Sequence, residues 1–292
     1  MFKTIRVGGV PEHFNLAWHL AIERGDFAKK GIAIEWIDVP GGTGAMCKML
    51  RDGEIDIAIA LTEGVVSDIM QGNPSKLVQF YVNSPLRWGI FVDAKSNIKT
   101  ISQMQGQKYA ISRYKSGSHL MAYVNAANNG LSINDSEDFV LVGNLNGARK
   151  ALAANEAQLF MWEKFTTKPY VDSGEFRMIG ECKTPWPCFA IVATDNFINT
   201  QPTTLDEVLE VVNKSCNDLK YNDEAVDLIA WRYQIKLADA MSWFSELEYA
   251  AKAEVSEEEM NQILDKLVQF NIIESKPDIF DICYNKTLEP IQ

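Results

Sequence analysis

Apolar residues in this chain follow two alternating patterns. Short, mainly apolar runs, which are typical of buried strands, cover residues 5–10, 32–39 and 56–61. Apolar residues at helical spacing, closed by Gly or Pro-Gly, cover residues 16–30, 43–50 and 64–71. Further strands are predicted at 77–83 and 88–93. Strands that alternate with helices predict a parallel sheet with right-handed crossovers.

The alternation restarts after residues 93–99, a polar segment that we expect to be a hinge. Helices are predicted at 101–105, 116–129, 147–155 and 168–173. Strands are predicted at 108–112, 139–142, 158–162 and 189–193. A strand-like region broken by Pro185-Trp186-Pro187 comes before the last of these, and stiff proline segments suit a crossover between lobes.

The remainder of the chain, from residue 204, is mainly helical. Ser256 and Glu259 have the spacing of a capping box that opens a helix to about residue 270. We therefore predict two lobes. Lobe one comprises residues 1–93 and 190–292, with the helical C-terminal part packed on it, and lobe two comprises residues 94–189.

Two short motifs connect this arrangement to a known family. In the first, Gly25-x-Phe27-x-x-x-Gly31-Ile32-x-Ile34, a helix ends and a buried strand begins. In the second, Trp162-Glu163-x-Phe165, aromatic and acidic groups follow an apolar strand. Together they resemble the type 2 periplasmic substrate-binding proteins of ABC importers, in the nitrate, taurine, alkanesulfonate and thiamine-pyrimidine group. Lys164 stands where that group usually has proline.

The resemblance implies a periplasmic binding protein type 2-like α/β fold. Two lobes, joined by a two-stranded hinge, would close around a small molecule in the cleft between them. It also implies an ABC permease as a partner and a periplasmic location. We expect a monomer.

Charge and hydropathy exclude several classes of partner. The net charge of −11 argues against nucleic acid and against an anionic membrane surface. It leaves a small anionic ligand open, because local donors decide such binding. Membrane insertion is not expected, since no apolar segment reaches the roughly 18–20 residues needed to span a bilayer.

The five cysteines are scattered and include no C-x-x-C spacing, so we expect free thiols, no metal site and no cofactor. Free thiols favour a reducing compartment. The N-terminal segment lacks the apolar region of a signal peptide. The chain is therefore either cytoplasmic, or a processed periplasmic protein with an added Met.

Ligands of open parallel sheets bind beyond the carboxyl ends of the strands. In the first half, the predicted ligand-binding residues at such ends are Glu12, His13, Phe14, Asn15, Gly42, Thr43, Gly44, Thr62 and Glu63. In the second half they are Arg113, Ser116, Gly117, Ser118, His119, Asn144, Trp162, Glu163 and Phe165. All are expected to face one interlobe cleft. For the Gly-rich loop the alternative is a structural turn, and for Ser116 it is an ordinary helix cap.

The carboxylates bear on the chemistry of the ligand. Glu12, Glu63 and Glu163 would repel nitrate or a sulfonate, but they would accept hydrogen bonds from amino or heterocyclic N–H groups. Phe14, Trp162 and Phe165 could stack on a flat ring. We therefore expect an amine-bearing or heterocyclic ligand rather than an oxyanion. The alternative for each glutamate is a solvated surface position.

Catalysis has no motif in its favour, and we predict a binding protein rather than an enzyme. No G-x-S-x-G or H-E-x-x-H sequence occurs. The alternative is a cytoplasmic enzyme or sensor on the same fold, of the thiamine-pyrimidine or menaquinone-pathway type. The fungal thiamine-pyrimidine synthases carry closely spaced cysteines, whereas this chain has only Cys188 in the corresponding region.

Overall fold

The computed structural model describes residues 2–289, which form two compact units. Unit 1 contains residues 2–84 and 186–289, and unit 2 contains Pro85–Pro185. The chain therefore crosses between units earlier than the predicted lobe boundaries of 93/94 and 189/190. The segment 93–99, predicted as a hinge, lies within unit 2.

The elements are numbered in chain order. The strands are β1 (Lys3–Gly9), β2 (Ile32–Asp38), β3 (Ile57–Leu61), β4 (Ser75–Val82), β5 (Arg87–Asp93), β6 (Tyr109–Ile111), β7 (Phe139–Leu141), β8 (Leu159–Glu163), β9 (Phe176–Lys183), β10 (Phe189–Thr194), β11 (Val255–Ser256) and β12 (Leu288–Glu289). The helices are α1 (Leu16–Glu23), α2 (Gly42–Arg51), α3 (Thr62–Met70), α4 (Gly117–Asn129), α5 (Leu145–Ala153), α6 (Lys164–Asp172), α7 (Asp195–Thr200), α8 (Pro202–Lys220), α9 (Ala225–Tyr233), α10 (Leu237–Glu246), α11 (Glu257–Gln269) and α12 (Ile279–Ile282).

Unit 1 is built on a five-stranded sheet in the order β2-β1-β3-β10-β4. Strand β1 runs parallel to β2 and β3, as predicted, whereas β10 runs antiparallel to both of its neighbours. The sheet interior consists of fully buried aliphatic side chains such as Ile5, Ile57 and Ile191. Consequently β1, β2 and β3 end at one edge of the sheet, the carboxyl edge of unit 1.

Helix α1 is shorter than the predicted helix at 16–30. It ends at Glu23 because Gly25 adopts a φ of 69°, a left-handed conformation that stops an α-helix. A short 3₁₀ turn at Ala28–Lys30 follows, and Gly31, with a φ of 74°, leads into β2. The predicted motif of glycines is therefore correct in position, but it encloses two short helical segments.

Unit 2 has a second five-stranded sheet, in the order β7-β6-β8-β5-β9. Strands β7, β6 and β8 are parallel, and β5 lies antiparallel between β8 and β9. This pairing places β5 in unit 2, although the sequence assigned residues 88–93 to lobe one. Strand β9 was foreseen only as a strand-like region. Phe91, Phe160 and Phe176 form the centre of the core under α5.

The C-terminal helices pack on unit 1, as predicted. Helix α8 packs against α1, and α12 packs against α3 and β4. Helix α11 begins where the capping box predicted, with the Ser256 hydroxyl accepting a hydrogen bond from the Glu259 N–H at 3.3 Å. All five cysteines are free and buried. Among residues 2–289, no helix combines the length and apolar character that a membrane crossing requires.

Candidate functional site

The turn that follows β1 is fixed by two tyrosines from other parts of unit 1. The hydroxyls of Tyr81 and Tyr249 both donate hydrogen bonds to the Phe14 carbonyl, at 2.8 Å and 3.0 Å. All three side chains are buried, so these bonds hold residues 13–15 rigidly at the carboxyl edge. The Phe14 ring packs against Phe189 and Trp243, which makes it part of the core.

His13 is enclosed by aromatic rings. It stacks on Phe14 at 5.0 Å between centroids and meets the edge of Trp243 at 4.2 Å, with Tyr233 at 5.9 Å. Burial lowers the pKa of His13 to about 3, so its imidazole is neutral at physiological pH. Its Nε2 atom has no hydrogen-bond partner among the described residues.

Asn15 presents an acceptor at the same edge. Its side-chain amide donates to the Val10 carbonyl at 2.8 Å, which leaves Oδ1 without a partner among the described residues. Gly9 makes room for this arrangement, because a Cβ there would lie 2.5 Å from the Trp36 ring and 2.9 Å from the Asn15 amide nitrogen. Half-buried Trp36 therefore lies beside Asn15, although it was not among the predicted site residues.

The start of α3 is tied to the chain segment that re-enters unit 1. The Thr62 hydroxyl donates to the Pro187 carbonyl at 2.7 Å, and the Thr62 N–H donates to the Cys188 carbonyl at 3.1 Å. The Trp186 indole donates to Glu63 Oε2 at 2.8 Å. These three bonds fix Thr62 and Glu63 at the end of β3.

Glu63 is a buried carboxyl group, with only 1% of its surface exposed. Burial raises the pKa of Glu63 to about 7, and the hydrogen bonds from its own backbone N–H and from Trp186 only partly oppose this effect. Its Oε1 atom has no partner among the described residues. Glu63 therefore has an unused acceptor and titrates near neutral pH. Glu12, by contrast, is half-buried beside His13.

The Gly-rich loop after β2 has a structural use. Gly42 opens α2 with a φ of 68°, and the Thr43 hydroxyl accepts a hydrogen bond from the Leu61 N–H at 3.0 Å. A Cβ on Gly64 would lie 2.7 Å from the Thr43 methyl group. The loop, with Gly44 in the first turn of α2, thus packs tightly on the start of α3.

The second group of predicted residues lies in unit 2, where β6 leads into α4. Ser116 caps this helix, accepting from the His119 N–H at 3.4 Å, and Ser118 accepts from the Ser112 N–H at 3.0 Å. His119 accepts the Lys115 N–H through Nδ1 at 3.1 Å, and burial lowers its pKa. His119 is therefore neutral at physiological pH, and the exposed basic side chains of this loop are Arg113 and Lys115. Gly117 is the first residue of α4.

The carboxyl end of β8 differs most from expectation. Glu163 is buried and caps α6, accepting from the Thr166 N–H at 2.6 Å, and burial raises its pKa. Phe165 is 2% exposed and belongs to the core. Half-buried Trp162 stacks on Phe160 at 5.4 Å between ring centroids. Asn144 likewise caps α5, accepting from Gly147.

An ion cluster that the sequence did not reveal lies next to Phe165. Glu181 accepts hydrogen bonds from Arg87 at 2.6 Å and from Lys164 at 2.9 Å. Burial alone would raise the pKa of Glu181, but the two cations lower it to about 2. Lys164 thereby links α6 to β9.

The chain is similar to known proteins both in part of its sequence and in its structure. A family model described as Ca3427-like PBP matches residues 88–182. No curated protein sequence matches the chain. The solved structure of the Candida albicans CA3427 gene product is 25% identical, with a TM-score of 0.88, and the match covers 99% of this chain and 96% of that one. That protein is described as exhibiting the generic periplasmic binding protein fold.

Two bacterial structures match nearly as completely. The alkanesulfonate-binding protein SsuA from Xanthomonas axonopodis pv. citri is 14% identical, with a TM-score of 0.75, over 98% of both chains. The nitrate-binding protein NrtA from Synechocystis PCC 6803 is 13% identical, with a TM-score of 0.73, over 98% of this chain and 87% of that one. The chain has the type 2 periplasmic-binding-protein fold. Its resemblance to the nitrate and sulfonate group is confirmed at the level of the fold.

In this periplasmic-binding-protein fold, the predicted site residues gather at the carboxyl edge of each unit's sheet. Their convergence on one cleft stays a prediction. The aromatic neighbours of His13 and the partner of Glu63 were missed, because Tyr233, Trp243 and Trp186 are distant in sequence and no sequence pattern links them to His13 or Glu63. Among residues 2–289, no group of three or more His, Cys, Asp or Glu side chains has the arrangement of a metal site.

Proposed function

We propose that this protein captures a small molecule at the carboxyl edge of unit 1. The observation that carries the proposal is that three of the buried polar atoms without partners among the described residues, His13 Nε2, Asn15 Oδ1 and Glu63 Oε1, belong to residues that follow strands at this edge. They follow β1 and β3, which are neighbours in the sheet. A buried polar atom left unpaired costs about 1–3 kcal/mol, so a ligand that pairs with these atoms would be favoured.

The chemistry of these atoms favours a ligand with N–H donors. Asn15 Oδ1 and ionised Glu63 can only accept hydrogen bonds. An oxyanion would place its own acceptors against them. Trp36, beside Asn15, offers a face for a flat ring. An aminopyrimidine or a comparable amine-bearing heterocycle therefore fits better than nitrate or a sulfonate, the ligands named for the bacterial relatives.

A thermal-shift screen followed by calorimetry tests this ligand class. We expect a hydroxymethyl-aminopyrimidine to stabilise the protein, and nitrate and taurine to have little effect. At pH 8, where Glu63 is mainly ionised, Glu63→Gln should weaken binding of the pyrimidine about 10- to 100-fold, because it removes a hydrogen bond to a charged acceptor. Glu163→Gln is the matched control, since that buried carboxyl group caps α6, and it should bind nearly as well as the unchanged protein.

Saturable binding of nitrate or an alkanesulfonate, unaffected by Glu63→Gln and without any response to pyrimidines, would contradict the proposal. Arg113 and the start of α4 would then be the better site. Trp162→Ala provides a separate test of the predicted contribution from unit 2. If unit 2 contributes a stacking partner, this variant should weaken pyrimidine binding by about ten-fold.

Catalysis is the second candidate. A buried carboxyl group with a pKa near 7, such as Glu63, is suited to general acid–base chemistry. Incubation with the bound heterocycle, followed by mass spectrometry, separates the two functions. Conversion that is lost in Glu63→Gln would indicate an enzyme, whereas recovery of the unchanged ligand would indicate capture.

Import is the role suggested by the fold relatives, and it would require an ABC permease partner and a periplasmic location. Cell fractionation of the native protein tests the location directly. A protein found with cytoplasmic markers would favour the enzyme or sensor alternative.

A further inference from the structure

A cavity of about 260 Å³ lies at the other edge of the unit 1 sheet, where β3 and β4 begin and β10 ends. Its polar lining comprises Arg6, Arg51, Asp52, Asp56, Thr194 and Asn196. The candidate site described above lies where β3 ends, so the two sites occupy opposite edges of the sheet.

The carboxylates around this cavity already have their hydrogen-bond partners. Asp56 accepts from the backbone N–H of Arg6 at 2.9 Å and from its guanidinium at 2.6 Å and 3.1 Å. Asp68, behind Arg51, accepts from Arg51 Nη2 at 2.7 Å and 2.8 Å and from the Asn73 amide at 2.6 Å. Asp52 is paired with Lys48. Most of the carboxylate oxygens around the cavity are therefore already paired with donors of the protein itself.

Several hydrogen-bond donors that line the cavity, by contrast, have no partner among the described residues. Arg51 engages the described residues through Nη2 alone, so the N–H groups on its Nε and Nη1 have no partner among residues 2–289. Arg6 likewise keeps one N–H on each terminal nitrogen after bonding Asp56 and the Gly53 carbonyl. The Asn196 side-chain amide also makes no hydrogen bond within the described chain. The cavity thus has an excess of donors.

We propose that this cavity binds a small oxyanion, a carboxylate or phosphate group, with Arg51 as the principal donor. The unpartnered N–H groups of a guanidinium make strong charge-assisted hydrogen bonds to such groups, and the Asp68–Asn73 pair holds the Arg51 side chain in place. The cavity is smaller than the roughly 300–1,000 Å³ of pockets for drug-sized ligands. A dicarboxylate or inorganic phosphate therefore fits better than a nucleotide. This site is independent of the function proposed above.

Calorimetric titration with malonate, acetate and inorganic phosphate, at constant ionic strength, tests the site. We expect saturable binding of malonate or phosphate, weakened at least ten-fold by Arg51→Gln. The malonate-to-phosphate affinity ratio then identifies the preferred group. Asn196→Ala, at an exposed position with little risk to folding, should weaken binding several-fold.

Arg149→Gln is the matched control. Arg149 is paired with one carboxylate, Glu175, and its side chain is 37% exposed, against 43% for Arg51, but it lies in unit 2. It should leave binding unchanged. No saturation by about 10 mM of any anion, or equal losses in Arg51→Gln and Arg149→Gln, would overturn the proposal. Pyrimidine binding should be the same in Arg51→Gln as in the unchanged protein, so the two sites can fail separately.

Discussion

Glu63→Gln is expected to stabilise the protein at pH 8 by an amount on the order of 3 kcal/mol. The folded state raises the pKa of Glu63 from 4.5 to about 7. Protonated Glu63 therefore contributes stability that is complete below pH 4.5 and is lost as the pH rises through 7. Gln stays neutral and still accepts from Trp186, so the variant avoids this loss.

His13 also makes the stability of the protein depend on pH, and its effect can be measured in the Glu63→Gln variant. Its folded-state pKa is lowered from 6.5 to about 3, so its contribution is present above pH 6.5 and is lost as the pH falls towards 3. Between pH 4.5 and 6.5 the two groups act in opposite directions. In Glu63→Gln, the free energy of unfolding in urea should therefore rise with pH more steeply than in the unchanged protein. An identical pH profile for both proteins would contradict the burial of Glu63.

Gly147→Ala is expected to destabilise unit 2 by about 3 kcal/mol. Gly147 lies in the first turn of α5, and a Cβ there would be 1.8 Å from the Val142 carbonyl oxygen and 2.8 Å from its carbonyl carbon. Both are backbone atoms, so a change of side-chain rotamer cannot relieve the clash. The whole connection from β7 to α5 would have to shift. Urea unfolding measures the loss of stability.

Gly53→Ala is the matched control for Gly147→Ala. Gly53 has open space around its Cβ position but a φ of 69°, so this substitution should cost only about 1 kcal/mol of backbone strain. If both variants lose the same stability, the close approach of α5 to Val142 is not what requires glycine at residue 147.

Much of the fold could be predicted from local patterns. The boundaries of β1, β2 and β3 follow from apolar runs that end in glycine or polar residues, and the Ser256 cap follows from its own short motif. The direction of β5 and β10 could not be predicted, because an apolar run reads the same in a parallel or an antiparallel strand. The division between units also depended on this pairing, so the predicted boundary fell beyond β5.

For the candidate site, likewise, only local features could be predicted from the sequence. Sequence placed His13 and Glu63 at strand ends, because that position depends only on where strands stop. It could not show that Trp186 would donate to Glu63 or that Trp243 would enclose His13, since those contacts join distant parts of the chain. Nor could the sequence distinguish a carboxylate that accepts a hydrogen bond from a ligand from one that caps a helix. Glu163 caps α6.

The five buried thiols have a practical consequence for measuring motion. Burial raises the pKa of Cys182 to about 11 and that of Cys283 to about 12, so thiolate, the form that reacts with maleimides, is scarce. Cys47, Cys188 and Cys216 are buried as well. A cysteine introduced at an exposed position in each unit would therefore be the preferred site of a fluorophore. Energy transfer between two such dyes could then follow ligand-induced movement without first removing the native cysteines.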